Sequence, residues 1–157
     1  MSRAPRGVYL PPNSLARIIG APDGKSFEDL VAAAEANVER LKPLGVTVLH
    51  DKVRELVELC ERPEDIVFGE SPMVARIAAH VAEDATQVGD DDIAQTAGGV
   101  SAMMTALFEQ GVWHSEALEV HVQALKVLAS RLPLSQSQKI TIQRELFQMR
   151  QSIGVWT

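Results

Sequence analysis

The side chains of this chain that can do chemistry are four histidines, His50, His80, His114 and His121, one cysteine, Cys60, and scattered carboxylates. A metal site needs ligands that converge from adjacent helical turns, as in His-x-x-x-His or Glu-x-x-His. His50 beside Asp51, His80 before Glu83 and Asp84, and His114 each stand alone in their turns. The positions three and four before His121 hold Leu118 and Ala117, so no carboxylate joins it. No metal and no cofactor are expected. No Gly-rich phosphate loop, Gly-x-Ser-x-Gly elbow or Cys–His signature appears. Cys60 has Glu58 and Glu61 as neighbours where a reactive thiol needs cations, so it reads as core filler.

His80 is placed differently. In VARIAAHVAEDATQVG, Val74 to Gly89, the residues Val74, Ile77, Ala78, Val81, Ala85 and Val88 recur at helical spacing. The stripe they form centres near Val81, about 100° round the helix from His80. The residues on turns adjacent to His80 are Arg76, Glu83, Asp84 and Gln87, all polar. The spacing therefore predicts an exposed histidine at mid-helix, within a partner-binding face of Arg76, His80, Glu83, Asp84 and Gln87. The placement resembles that of the acceptor in histidine phosphotransfer domains, whose motif reads His-x-x-Lys-Gly. There the lysine neutralises incoming phosphoryl charge and the glycine clears space for a receiver domain. Here Glu83 and Asp84 fill those positions. Two carboxylates repel a phosphoryl group by roughly several tenths to a few kcal/mol. The face is expected to bind rather than react, with His80 the candidate acceptor if it does react. His121, close to an apolar stripe, reads as a partly buried histidine bonded to a neighbour, and His114 as a loop residue at a helix start.

Helices must position these residues. Ser26 opens a long one in a capping-box arrangement with Asp29, and Phe27, Leu30, Val31, Ala34, Val38 and Leu41 make its apolar face. Pro43 is expected to interrupt it, with a second helix from about Leu44 to Glu61. RPEDIVFGESP reads as a long loop whose Ile66, Val67 and Phe68 can pack back on the body or onto a partner. Ser71-Pro72 starts the His80 helix and Gly89 ends it. The next runs from the Asp90–Asp92 cap to Gly111 and buries Ile93, Ala97, Val100, Met104, Leu107 and Phe108. Gly98 and Gly99 inside it cost about 1 kcal/mol each, which points to close approach by another element. A helix from Ser115 to about Arg131 buries Leu118, Val122, Leu125, Leu128 and Leu132. The last is capped by Ser135 or Ser137, and its Ile142, Leu146, Met149 and Ile153 are spaced like a coiled-coil seam. That seam suits a helix lying along a bundle or a homodimer. The expected fold is an all-α antiparallel bundle of five or six helices over residues 13–157, with a phosphotransfer-like core and a flexible tail at 1–12. The net charge of −6 argues against a nucleic-acid partner. The single cysteine, the absence of a signal-peptide pattern and the lack of an apolar run near 20 residues point to a cytoplasmic protein without membrane insertion.

Two segments carry a family resemblance. SLARIIGAPDGKSFEDLVAAAEANVERLKP, Ser14 to Pro43, and WHSEALEVHVQALKVLASRL, Trp113 to Leu132, resemble the opening and the penultimate helix of small alphaproteobacterial proteins called chemotaxis protein CheE. The likeness covers about a third of the chain and none of its residues is catalytic. It implies a signalling component. The expectation is a non-catalytic adaptor of a chemotaxis or two-component pathway that binds a histidine kinase or receiver domain. The alternatives are an active phosphotransfer protein using His80 and a structural helical dimer.

Overall fold

The computed structural model describes residues 26–130 and 132–156. They form six helices: α1 Phe27–Cys60, α2 Glu64–Gly69, α3 Ser71–Val88, α4 Asp91–Gln110, α5 Ser115–Leu128 and α6 Gln136–Ser152. The fold is an all-α bundle. It separates into two compact units, Met1–Leu41 and Lys42–Thr157. That division falls inside α1, beside Pro43. The expected tail at 1–12 and short helix before Gly20 lie outside the described residues.

In the first unit the capping box forms: the Ser26 hydroxyl accepts from the Asp29 amide at 3.1 Å, and the Asp29 carboxylate accepts from the Ser26 amide at 3.1 Å. From Val31 to Leu41 every residue of α1 is exposed. The second unit begins with a correction. Pro43 does not break α1, which runs on to Cys60. Its missing N–H costs one ladder bond, but the Thr47 hydroxyl donates to the Pro43 carbonyl at 3.1 Å and holds that turn. Gly45 helps, since a Cβ there would lie 2.9 Å from Val88 Cγ1. RPEDIVFGESP is likewise not a long loop. Glu64 and Asp65 favour a helix start at α2, Val67 is buried, and the buried Ser71 hydroxyl donates to the Phe68 carbonyl at 2.7 Å.

The core joins Leu49, Val53 and Leu56 of α1 to Val74, Ala78, Val81 and Ala85 of α3, Val100, Met104 and Leu107 of α4, and Leu118, Val122 and Leu125 of α5. The α3–α4 hairpin is its most extensive helix pair. Gly89, at φ 82, supplies the left-handed turn and Asp90 accepts from the Ile93 amide at 3.0 Å. Alanines along both helices bring the axes close. Two expectations fail at helix ends. Phe108 is 45 % exposed on α4, and α5 stops at Leu128, which leaves Leu132 outside the core.

Helix α6 docks largely through polar groups. Lys139 pairs with Asp92 at 2.8 Å, and this hydrogen bond raises its pKa. Gln143 donates to the Asp92 carbonyl and the Thr96 hydroxyl, both at 3.0 Å. The seam residues Ile142, Met149 and Ile153 are half-buried and Leu146 is buried, so the seam is used within the chain. Beside it Arg150 enters the core. Its Nη1 donates to Nε2 of the fully buried His121 at 3.1 Å, and His121 Nδ1 donates to the Ala117 carbonyl at 2.7 Å. Burial lowers the Arg150 pKa, and its Nε is buried without a partner. Burial also pushes His121 down to about 4, a fall that the Ala117 bond opposes and the Arg150 charge reinforces.

Gly99 makes the room. A Cβ on it would sit 2.3 Å from Arg150 Nη1, whereas a Cβ on Gly98 meets nothing within 4 Å. Close approach therefore explains one glycine of the pair. Gly98→Ala is expected to raise stability by up to about 1 kcal/mol. Gly99→Ala is expected to lower it by about 1–2 kcal/mol, because the guanidinium must leave His121. Thermal melts of opposite sign check the pair; two equal shifts contradict it. A second outcome concerns pH. The unfolded histidine protonates below 6.5 and the folded one only below about 4. In that window the unfolded state binds more protons, so stability is lost as the pH falls from 6.5 toward 4, by roughly 3 kcal/mol at the lower edge. His121→Gln keeps an acceptor but does not titrate, so denaturant melts across the window should show a flatter dependence than wild type.

Candidate functional site

Helix α3 buries Val74, Ala75, Ala78, Val81 and Ala85 and turns its other side to solvent. Arg76, His80, Glu83 and Gln87 are exposed there. Asp84 is half-buried and pairs with Lys52 of α1, so its charge is already answered. The sequence-predicted face is thus one continuous strip, with Asp84 at its inner margin. His80 is exposed at mid-helix and makes no hydrogen bond among the described residues.

The strip borders a groove between α3 and α4 of about 500 Å³. Ala75, Ala79 and Ser101 line it with small side chains, Phe108 and Thr105 rise along α4, and Arg76 and Glu109 stand as opposite charges among its lining residues. Arg76 therefore belongs to both surfaces. Phe108 was missed by periodicity, which places it on the edge of the buried stripe. Its neighbour Leu107 in the same turn is buried, and Phe108, about 100° further round the helix, falls where the stripe meets solvent. The Phe108 ring lies 6.3 Å from Phe68, which meets Trp113 edge-on at 5.7 Å.

On the other side of Trp113 a cleft of about 430 Å³ is lined by Cys60, Arg62, Glu64, Leu118, Glu119 and Gln123, among others. The Trp113 indole nitrogen is buried without a partner. Arg62 pairs with Glu70 at 2.8 Å. Burial, then the Glu61 charge, pushes the Cys60 thiol up to about 12, so it is a protonated, inert wall. A larger cleft of about 730 Å³ between α1 and α5 takes in His50, Asp51, Arg54, Glu58 and Lys126. His114 is exposed at the start of α5, where its side chain does not cap the helix.

The histidines thus lie in separate places: one in a cleft, one on α3, one at a helix start and one in the core. Among the described residues no group of three or more His, Cys, Asp or Glu side chains gathers. No helix among them is long and apolar enough to cross a membrane. What the geometry brings together on α3 and α4 is an exposed aromatic ring, a trough of small side chains and a polar rim carrying His80. No family model, curated protein or solved structure matches this chain.

Proposed function

We propose that this protein is a non-catalytic cytoplasmic adaptor of a chemotaxis or two-component pathway, which docks a receiver domain or histidine kinase on its α3–α4 face. The observation that carries the reading is the position of Arg76, shared between the His80 strip and the groove beside Phe108. Interfaces concentrate their affinity in a few aromatic and arginine side chains set among small, water-excluding neighbours. Phe108 and Arg76 have those characters, and both stand on the tightest helix pair of the bundle, so little order is lost on docking. The segments that resemble CheE proteins support a signalling context. Titration calorimetry against the receiver and kinase domains of the same organism tests this. One of them is expected to bind, and Phe108→Glu or Arg76→Glu is expected to weaken it at least tenfold, about 1.4 kcal/mol. Both side chains are exposed, so the variants should keep the wild-type melt. Failure to bind any such domain, or indifference to both substitutions, removes the reading.

One observation favours a second reading, phosphotransfer through His80. Lys52 neutralises Asp84, which leaves Glu83 as the charge repelling a phosphoryl group there. Incubation with a phosphorylated receiver domain followed by mass spectrometry distinguishes the two. Label on His80, lost in His80→Gln, establishes transfer; an unmodified chain leaves docking alone.

A further inference from the structure

We infer that α6 is a strap that leaves α4 and α5 as one unit while α3, α4 and α5 stay packed, and that proton uptake by His121 releases it. Within α6 only Leu146 and Arg150 are buried, with Val155 just beyond the helix end. Met149 and Ile153 add partial cover against the core. The rest of the hold is polar: Lys139 on Asp92, Gln143 on the Asp92 carbonyl and the Thr96 hydroxyl, and Arg150 on His121. Helix α4, by contrast, buries eight of its residues. Elements with few buried apolar side chains open at lower free energy than the core they rest on. Opening of α6 therefore precedes opening of the α3–α4 hairpin.

The contact at the centre of this attachment accepts one protonation state of the ring. His121 Nδ1 lies 2.7 Å from the Ala117 carbonyl, which can only accept, so Nδ1 carries the hydrogen. Nε2 is then the acceptor for Arg150 Nη1 at 3.1 Å. A guanidinium has no acceptor and keeps its proton. A second proton on the ring would set N–H against N–H and cation against cation inside the core. Among the described residues no carboxylate pairs with Arg150, and its Nε is already without a partner, so nothing there answers the added charge. The ionisable groups that meet α6 are His121 from α5 and Asp92 from α4, with Asp90 beyond it. Asp92 holds the Lys139 end of the helix, about three turns from Arg150. One side of the buried contact must then leave. His121 stands on the buried stripe of α5 with Leu118, Val122 and Leu125, whereas Arg150 rides on the weakly buried helix. The arginine goes, and α6 goes with it. The inference is independent of the α3–α4 docking face, since no residue lining that groove belongs to α6.

Hydrogen exchange of the full chain, read by mass spectrometry as protection against the intrinsic rate at each pH, tests it. At pH 7 peptides from 136–152 are expected to be roughly tenfold or more less protected than those from 91–110. Between pH 7 and pH 5 the open fraction of α6 is expected to rise by up to about twentyfold, because the ring has a pKa of about 4 under α6 and 6.5 once free. Peptides from 71–88 and 91–110 should stay more protected than α6 throughout. His121→Gln keeps an acceptor for Arg150 but does not titrate, so its α6 opening should stay level over the same range. Equal protection of 136–152 and 91–110 at pH 7 overturns the inference, because α6 then opens only with the whole bundle. An α6 whose protection does not fall on acidification overturns the release by protons. A fall that persists in His121→Gln overturns it as well, by placing the titrating group at Asp92. The first two outcomes are read on the wild-type chain and do not depend on the variant folding.

Discussion

A guanidinium does not shed its proton, so an arginine carried into a core must find acceptors where its backbone puts it. Arg150 finds His121, and it reaches that ring across the space left by Gly99. Helices α4, α5 and α6 are tied at this point. The dependence is greatest for α6, which buries Leu146 and Arg150 and attaches otherwise through Lys139, Gln143 and half-buried side chains. A helix with so little apolar area is held by directional bonds. Buried ionic groups contribute modestly to stability, but a misplaced one is expensive. A slip of α6 by one residue would strand a cation in the core. We therefore read Arg150 as the device that sets the register of the last helix.

That closure has a consequence for the opposite side. With Leu49, Val53 and Leu56 of α1 and the buried faces of α4 and α5 packed into the core with the inner stripe of α3, and α6 bound to α4 and α5, no helix among the described residues lies over the outer strip of α3. The Arg76–His80–Gln87 line is displayed on the best-packed hairpin of the molecule. A surface built there moves little, which suits recognition of a preformed partner face.

How much of this was legible in the sequence differs from element to element. The α3 stripe, the Gly89 and Gly111 stops, and the caps at Ser26, Asp90 and Ser135 were readable because each rests on chemistry local to one turn. The exposure of His80 followed from the same periodicity. Pro43 misled because its penalty is local, whereas the helix beyond it is anchored by Leu49, Val53 and Leu56 packing in the core. Phe108 misled because it stands on the edge of its stripe, where periodicity does not decide between core and solvent. Arg150 was illegible in its own helix. A charged residue between Leu146 and Ile153 reads as a solvated flank, and only the glycine pair in a different helix hinted that something must come close. The role of the final seam was left open between bundle and dimer, since periodicity states that a stripe is covered without stating by what. The bundle uses that seam, burying Leu146 and packing Met149 and Ile153 against the core.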